Sequence, residues 1–194
     1  SIELVHFTIL RPPSKRDLTP VKELSLIPFP TQELFAADIS KFSLIIFDQY
    51  SLQGVLPQKY LNNIKNFVLN GGALLDIAGP EYAKQSSIIN SPLKIILPTK
   101  PLNEFSIRLF KPDLTSLGER HPITNDLRSA YKDNAWGNWY RFVKTEKVAG
   151  KVLLKHKNYP LMVAAKAGEG RVVQLLSDQY WIWKKSAQER GPLT

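Results

Sequence analysis

The segment between residues 43 and 78 constrains the fold more than any other part of this sequence. Residues 43–48 (SLIIFD) form a nearly continuous apolar run, as expected of a parallel strand that is covered on both faces. A helix should begin near Pro57, because the first helical turn tolerates proline. Its apolar residues recur at the helical spacing, at Tyr60, Leu61, Ile64, Phe67 and Val68. Gly71 and Gly72 should end this helix before a second buried strand at residues 73–78 (ALLDIA). This order predicts a βαβ unit with a right-handed crossover.

Further β-type segments flank this unit. Strands are predicted at residues 2–10, 23–29, 152–156, 161–167 and 170–177. A Gly-Glu-Gly turn at residues 168–170 joins the last two as a C-terminal hairpin, because glycine supplies the positive φ of a tight turn. A short helix is predicted at residues 31–37 with Thr31 as its N-cap, and residues 80–112 should form loops with one or two further strands. No domain boundary is visible, so residues 1–194 are expected to form one domain, excised from a larger protein.

Composition excludes several classes of protein. The chain of 194 residues has no cysteine, which removes disulfide scaffolds, thiolate metal sites and enzymes with a cysteine nucleophile. Lys and Arg outnumber Asp and Glu by 26 to 17, but they are scattered, so we expect a solvated surface and no nucleic-acid partner. The histidines His6, His121 and His156 stand far apart and no phosphate-binding glycine motif is present, so we expect neither a metal nor a cofactor. No run approaches the roughly 18 apolar residues of a membrane span.

Polar residues follow three of the predicted core strands at the point where each strand ends. They include Asp48 and Gln49 after the first strand, Gly79 and Glu81 after the second, and Asp178 after the last. Ligands of open parallel sheets bind beyond the carboxyl ends of the strands, so these residues could line one crevice and bind a ligand there. Crowding of the three carboxylates would raise at least one pKa and suit acid or base chemistry. The alternative interpretation is that these residues cap helices and hydrogen-bond to loops.

Aromatic groups near the C-terminal half have two interpretations as well. Trp136 and Trp139 belong to a dense aromatic group, and exposed rings at a cleft could stack on sugars or bases. Such rings more often fill a core or an interface. His121 begins a turn at residues 121–127 and could face the crevice, although a loop histidine more often hydrogen-bonds to the backbone.

Four segments together carry a resemblance to a known family. They are FSLIIFD at residues 42–48, LPQKYLNNIKNFVLNGGALLDIAGPE at 56–81, HPITNDL at 121–127 and GEGRVVQLLSDQYWIW at 168–183. In order and spacing they resemble the class I glutamine amidotransferase-like superfamily. The resemblance is to its cysteine-lacking branch, the C-terminal domain of bacterial membrane-anchored proteins. It implies an α/β fold of the flavodoxin-like type, a three-layer sandwich with a mainly parallel central sheet.

The catalytic residues of that superfamily are missing from this chain. Active members place the nucleophile in a Gly-x-Cys-x-Gly turn, where residues 78–82 are Ala-Gly-Pro-Glu-Tyr. They also carry His-x-Glu after the last core strand, where residues 177–179 are Ser-Asp-Gln. Glutaminase activity is therefore not expected. If the crevice has another activity, Glu81 and Asp178 are the first candidates for catalysis, followed by Asp48 and His121.

The sequence leads to two hypotheses of function. The first is a non-catalytic amidotransferase-like domain of a membrane-anchored cell-envelope protein, whose partners are the other domains of that protein and a protein partner or a small polar ligand. The alternative is a hydrolase of a small polar or carbohydrate substrate. In this hydrolase Glu81 and Asp178 would act as carboxylates about 5 to 10 Å apart, and Trp136 or Trp139 would stack on the substrate.

Overall fold

The computed structural model describes residues 2–6, 8, 30, 32–53, 56–127 and 137–179. Within these residues eight strands follow in chain order: β1 (Leu44–Asp48), β2 (Ala73–Ile77), β3 (Thr99–Phe110), β4 (Asp113–Leu114), β5 (Trp139–Lys147), β6 (Lys151–His156), β7 (Tyr159–Ala167) and β8 (Gly170–Leu175). The α-helix α1 (Gln58–Leu69) lies between β1 and β2. Short helical segments are a π-helix at Glu33–Ala37 and 3₁₀ turns at Ile39–Lys41, Pro80–Ala83, Ile88–Asn90, Pro92–Ile95 and Gly118–Arg120.

The predicted βαβ unit is confirmed. Strands β1 and β2 pair in parallel along their whole length, and α1 begins directly after Pro57. Leu61, Ile64 and Val68 of α1 are fully buried in one core cluster with residues of β2 and β8, because the helical spacing places them on the same face. Gly71 has a φ of +117°, which explains why a glycine ends this helix.

The C-terminal hairpin is confirmed too. Strands β7 and β8 pair antiparallel up to Ala167 and Gly170, with a two-residue turn between these residues. Gly168 in this turn has a φ of +59°. The peptide N–H of Glu169 donates to the carbonyl oxygen of Leu69 at 2.9 Å, so the turn also packs against the end of α1.

The flavodoxin-like three-layer sandwich is wrong. The main sheet has the order β1-β2-β8-β7-β6-β4. Strands β1, β2 and β8 are parallel to one another, whereas the pairs β8–β7, β7–β6 and β6–β4 are antiparallel. A three-layer sandwich requires helices on both faces of the sheet. Among the described residues α1 is the one helix longer than five residues, and it covers one face. The fold is therefore a strand-rich, mixed-sheet α/β arrangement.

The segment after β2 gives a physical reason for this difference, because a proline disfavours the helical conformation of the residue before it, and Gly79 and Ser91, which precede two of its prolines, are both extended. Pro80 and Pro92 each stand in the first positions of a 3₁₀ turn, and neither turn continues into a longer helix. The chain then forms β3, which pairs antiparallel with β5 in a separate two-stranded ribbon. Short turns and a ribbon thus follow β2 where a doubly wound sheet would have further helices.

The predictions for the N-terminal residues are confirmed at some positions and wrong at others, and some fall outside the described residues. The described residues 2–6 and 8 form no strand, so the strand predicted at 2–10 is wrong for them. The strand predicted at 23–29 and the capping residue Thr31 lie outside the described residues. The short helix expected at 31–37 corresponds to the π-helix Glu33–Ala37. None of the helices in the described segments has the length and apolar character needed to cross a bilayer.

Two buried clusters make up the core. One lies between α1 and the sheet, and the other joins the ribbon to β6 and β7 through Phe110, Trp139, Phe142, Leu154 and Leu161. Strand β5 contributes to both clusters, because Phe142 belongs to the second and Val143 to the first. The ribbon is thus anchored by the buried side chains of β5.

Candidate functional site

The structure brings together four of the polar residues predicted at the strand ends. The N–H of Gln49 donates to the carbonyl oxygen of Ile77 at 2.8 Å, which places the turn after β1 beside the end of β2. A Cβ added at Gly79 would lie 3.3 Å from Oδ2 of Asp178 and 3.4 Å from Cγ of Gln49. Burial raises the pKa of Asp48, a hydrogen bond from Gln49 lowers it, and the nearby charge of Asp178 raises it. Asp48, Gln49, Gly79 and Asp178 therefore form one polar cluster at the carboxyl ends of β1, β2 and β8.

Asp178 forms an ion pair with Arg141 of the same chain. Its side chain is 2% exposed, and Nε of Arg141 in β5 donates to its Oδ1 at 3.0 Å while the second guanidinium nitrogen bonds to Oδ2. Ser177 also bonds to this strand, since its Oγ donates to the carbonyl oxygen of Arg141 at 2.6 Å. A bidentate pair of this kind compensates a buried carboxylate. Asp178 thus ties β8 to the ribbon.

Glu81 is held by its own turn. Nζ of Lys84 donates to Oε1 at 2.5 Å, and Oγ of Ser86 donates to Oε2 at 2.7 Å. These two hydrogen bonds, with that from Lys84 the larger effect, lower the pKa of Glu81. A carboxyl that is stabilised as the anion is a poor proton donor at neutral pH. The hydrogen-bonding environment of Glu81 therefore suits a local structural role.

The remaining predicted residues lie elsewhere. Nδ1 of His121 accepts a hydrogen bond from the N–H of Ile123 at 3.3 Å, which is the backbone-bonding arrangement considered for this loop. Trp139 is 1% exposed and packs against Phe110 with ring centroids 6.0 Å apart, so its ring has no open face for stacking. Trp136 lies outside the described residues. In the described part of the chain no cluster of three or more His, Asp or Glu side chains could hold a metal ion.

An apolar groove adjoins the polar cluster on the sheet face opposite α1. Its volume is about 1010 Å³, and its floor is formed by side chains of three parallel strands: Leu44, Ile46, Leu75, Ile77, Val173 and Leu175. Asp48 and Gln49 stand at the carboxyl end of this floor, and Arg171 lines the groove near its other end. We refer to this surface as the sheet groove.

The sheet groove was not anticipated from the sequence. Residues 43–48 were expected to be covered on both faces, but burial alternates along β1, and Leu44 and Ile46 are 46% and 48% exposed. That expectation is therefore wrong for β1. An exposed pair of large aliphatic side chains on an edge strand is a signal of a binding surface, since soluble proteins limit such patches.

A buried polar chain occupies the other face of the sheet. Oδ2 of Asp76 accepts from Nε2 of Gln174 at 2.9 Å, and Oε1 of Gln174 accepts from Oγ1 of Thr99 at 2.7 Å. The hydroxyl of Tyr82 donates to the carbonyl oxygen of Thr99 at 2.7 Å. Burial raises the pKa of Asp76 to about 7 and that of Tyr82 to about 12. The sequence signal for these buried hydrogen bonds is Asp76, the single aspartate within an otherwise apolar strand.

Comparison with solved structures identifies similar folds. Cytoplasmic Protein STM1381 from Salmonella typhimurium LT2 matches with a TM-score of 0.63 and 21% identity, over 80% of this chain and 67% of that chain. Cytoplasmic Protein STM3548 from Salmonella typhimurium matches with a TM-score of 0.60 and 18% identity, over 84% and 72%. A β-galactosidase from Bacillus circulans sp. alkalophilus matches with a TM-score of 0.47 and 14% identity, over 73% of this chain but 21% of the enzyme. No protein-family model matches the chain, and a search of curated proteins finds no match.

These neighbours show a shared fold. The two Salmonella proteins are described as cytoplasmic proteins, and neither is described as an amidotransferase or a membrane protein. The mixed, strand-rich sheet makes wrong the description of the chain as a flavodoxin-like domain. The resemblance of the four sequence segments to the superfamily is not tested by these comparisons and stays a prediction.

Proposed function

We propose that this protein is a non-catalytic binding domain and that the sheet groove is its ligand site. The observation that carries the proposal is the open apolar groove of about 1010 Å³ beside the polar cluster of Asp48, Gln49 and Asp178. A volume of this size matches the upper range of small-molecule sites, roughly 300 to 1,000 Å³. Apolar walls with a few polar groups at one end are typical of such sites.

The ion pair of Asp178 and the hydrogen bonds of Glu81 favour a binding function over a catalytic one. Asp178 is paired with Arg141, and Glu81 accepts hydrogen bonds from Lys84 and Ser86. The usual mechanism of glycoside hydrolysis needs two carboxyl groups that both reach the substrate, one as a general acid and the other as a base or nucleophile. The pKa of Asp48 is raised by burial, which leaves one carboxyl at the rim of the groove. The hydrolase alternative, based on Glu81 and Asp178, has less support from these contacts.

The shape and polarity of the groove indicate the class of ligand. The floor runs along β1 from Leu44 to Asp48, which corresponds to about 13 Å at the usual rise of a strand. Apolar side chains occupy its length, Asp48 and Gln49 offer oxygen and amide groups at one end, and Arg171 offers a cation near the other. We therefore expect an elongated, mainly apolar ligand with an anionic group that reaches Arg171.

A fluorescent probe of this chemistry tests the proposal. We expect 1-anilinonaphthalene-8-sulfonate, an apolar ring system with one sulfonate, to bind saturably to the folded chain with a blue-shifted emission. Ile46→Glu places a charge on the groove floor at a position that is 48% exposed, so folding should tolerate it. The dissociation constant should rise at least tenfold in this variant, because a buried charge next to an apolar probe is unfavourable.

The matched control is Ile95→Glu. Ile95 is 76% exposed and does not line the groove, so the same substitution there should leave probe binding unchanged. Absence of saturable binding, or an equal loss of affinity in both variants, would contradict the groove as the site. Turnover of nitrophenyl glycosides or esters that is abolished by Glu81→Gln would contradict the non-catalytic assignment.

A further inference from the structure

Strand β3 forms the outer edge of the two-stranded ribbon and carries large apolar side chains that face solvent. Among the described residues β3 pairs with β5 alone. The exposed fractions are 43% for Leu102, 39% for Phe105, 52% for Ile107 and 68% for Leu109. A long edge strand with exposed apolar residues is a template for pairing with another strand, because its outer N–H and C=O groups have no ladder partner.

The two strands of the ribbon differ in how far their side chains are buried. Phe105 is opposite Val143, and Ser106 is opposite Phe142, in the same ladder. Val143 and Phe142 on β5 are 1% and 3% exposed, whereas Phe105 on β3 is 39% exposed. Within the described part of the chain, β3 thus has ladder neighbours on the side of β5 and no strand on its outer side. One additional strand along the outer edge would supply these neighbours.

We infer that a second copy of this chain pairs with β3, edge to edge and antiparallel, about a two-fold axis at Ser106. The regular part of β3 is short, because irregularities interrupt its pairing with β5 between Pro101 and Glu104 and between Ile107 and Phe110. A symmetric antiparallel pair has its two-fold axis at one residue, which then faces its own copy. The candidate centres within the regular part are the positions from Glu104 to Ile107.

Charge complementarity selects Ser106 among these centres. With the axis at Ser106, Glu104 of each copy is opposite Arg108 of the other, and Phe105 is opposite Ile107. With the axis at Glu104 the two glutamates would face each other, and with the axis at Phe105 or Ile107 neither charged residue faces an opposite charge. Opposite charges and paired apolar residues stabilise cross-strand contacts, whereas like charges directly opposite destabilise them. The sequence of β3 is therefore self-complementary in one register.

Glu104 is already oriented by a contact within its own chain. Nζ of Lys144 donates to Oε2 of Glu104 at 2.6 Å, and the glutamate side chain remains 63% exposed. The carboxylate thus stays available to a guanidinium from a second copy. The occupant that fits this edge is a strand with the same sequence, because a symmetric interface uses each residue of the pair twice.

The test measures association of the 194-residue chain by sedimentation equilibrium from micromolar to sub-millimolar concentrations. We expect a concentration-dependent dimer. Glu104→Arg and Arg108→Glu each place like charges opposite one another at two symmetric positions, so each should weaken the dimer at least tenfold. The double variant Glu104→Arg/Arg108→Glu should restore most of the affinity, because opposite charges then face each other again.

Two features of this design separate association from folding. The double variant loses the same internal contact with Lys144 as the single Glu104→Arg variant, so restoration cannot come from that contact. Glu169→Arg makes the same change of charge in the hairpin turn, at a glutamate side chain that is 80% exposed, and should leave the dimer unchanged. A monomer at all concentrations, a dimer that is insensitive to both single variants, or a double variant without restoration would each overturn the inference.

Discussion

The buried carboxyl of Asp76 should make the stability of this protein fall as pH rises from mildly acidic to neutral. Asp76 is 2% exposed, and burial raises its pKa from 3.8 to about 7, although the hydrogen bond from Gln174 lowers it in part. Below pH 3.8 both the folded and the unfolded chain are protonated at this position. Between the two values the folded chain holds one proton more than the unfolded chain, so the free energy of unfolding decreases as pH rises.

The size of the effect follows from the two pKa values. Their difference of about 3 corresponds to about 4 kcal/mol of stability that is present below the unfolded value and lost as pH rises through the folded one. Asp76→Asn removes the titration while its side-chain oxygen can still accept from Nε2 of Gln174. The free energy of unfolding of the wild type, relative to that of this variant, should therefore fall by about 4 kcal/mol between pH 4 and pH 8.

Urea unfolding followed by circular dichroism, at several pH values, measures this difference. The control is Thr99→Val, which removes the hydroxyl between Gln174 and Tyr82 but keeps the carboxyl of Asp76. It should lower stability by about 1 to 2 kcal/mol at every pH and keep the pH dependence of the wild type. Parallel curves for the wild type and Asp76→Asn would refute the reasoning, because the carboxyl would then have no raised pKa in the folded chain.

Two further predictions test how the strand ends and the hairpin are held. Arg141→Met leaves Asp178 buried without its cation and should lower the free energy of unfolding by about 3 kcal/mol in urea; a loss below about 1 kcal/mol would mean that the pair is not structural. Gly170→Ala should lower the melting temperature more than Gly71→Ala does. A Cβ at Gly170 would overlap two backbone oxygens, whereas one at Gly71 meets nothing within 4 Å and carries only the cost of its positive φ. The reverse order would contradict the close packing of the hairpin against α1.

The parts of the fold that could be predicted from the sequence are those that local patterns determine. Helix α1 begins at Gln58 and ends at Leu69, as the proline before it and the glycines after it indicate. The turn at Gly168 has the positive φ that its sequence suggested. In both cases the signal and the structure that it specifies lie within a few residues of each other.

The arrangement of the sheet depends on contacts between distant parts of the chain. An apolar run such as residues 43–48 predicts a strand, but it does not say which faces other elements will cover. In the structure Ile45 and Phe47 are buried under α1, while Leu44 and Ile46 face the sheet groove. The flavodoxin-like expectation assumed a second layer of helices on that face, and the sheet groove results from the exposure of these residues.

At the candidate site, too, contacts between distant parts of the chain decide the outcome. Positional reasoning identified Asp178 as a strand-end carboxylate, and the structure does place it beside Gly79 and near Asp48. Its partner Arg141 is 37 residues away in a strand of the separate ribbon, and no local pattern connects the two. Because the guanidinium takes both carboxylate oxygens, Asp178 joins β8 to β5 instead of presenting a free charge to the groove. The chemistry of a strand-end carboxylate is therefore decided by the element that packs over it, which is why residues that suggest an active site in the sequence belong to a proposed binding site.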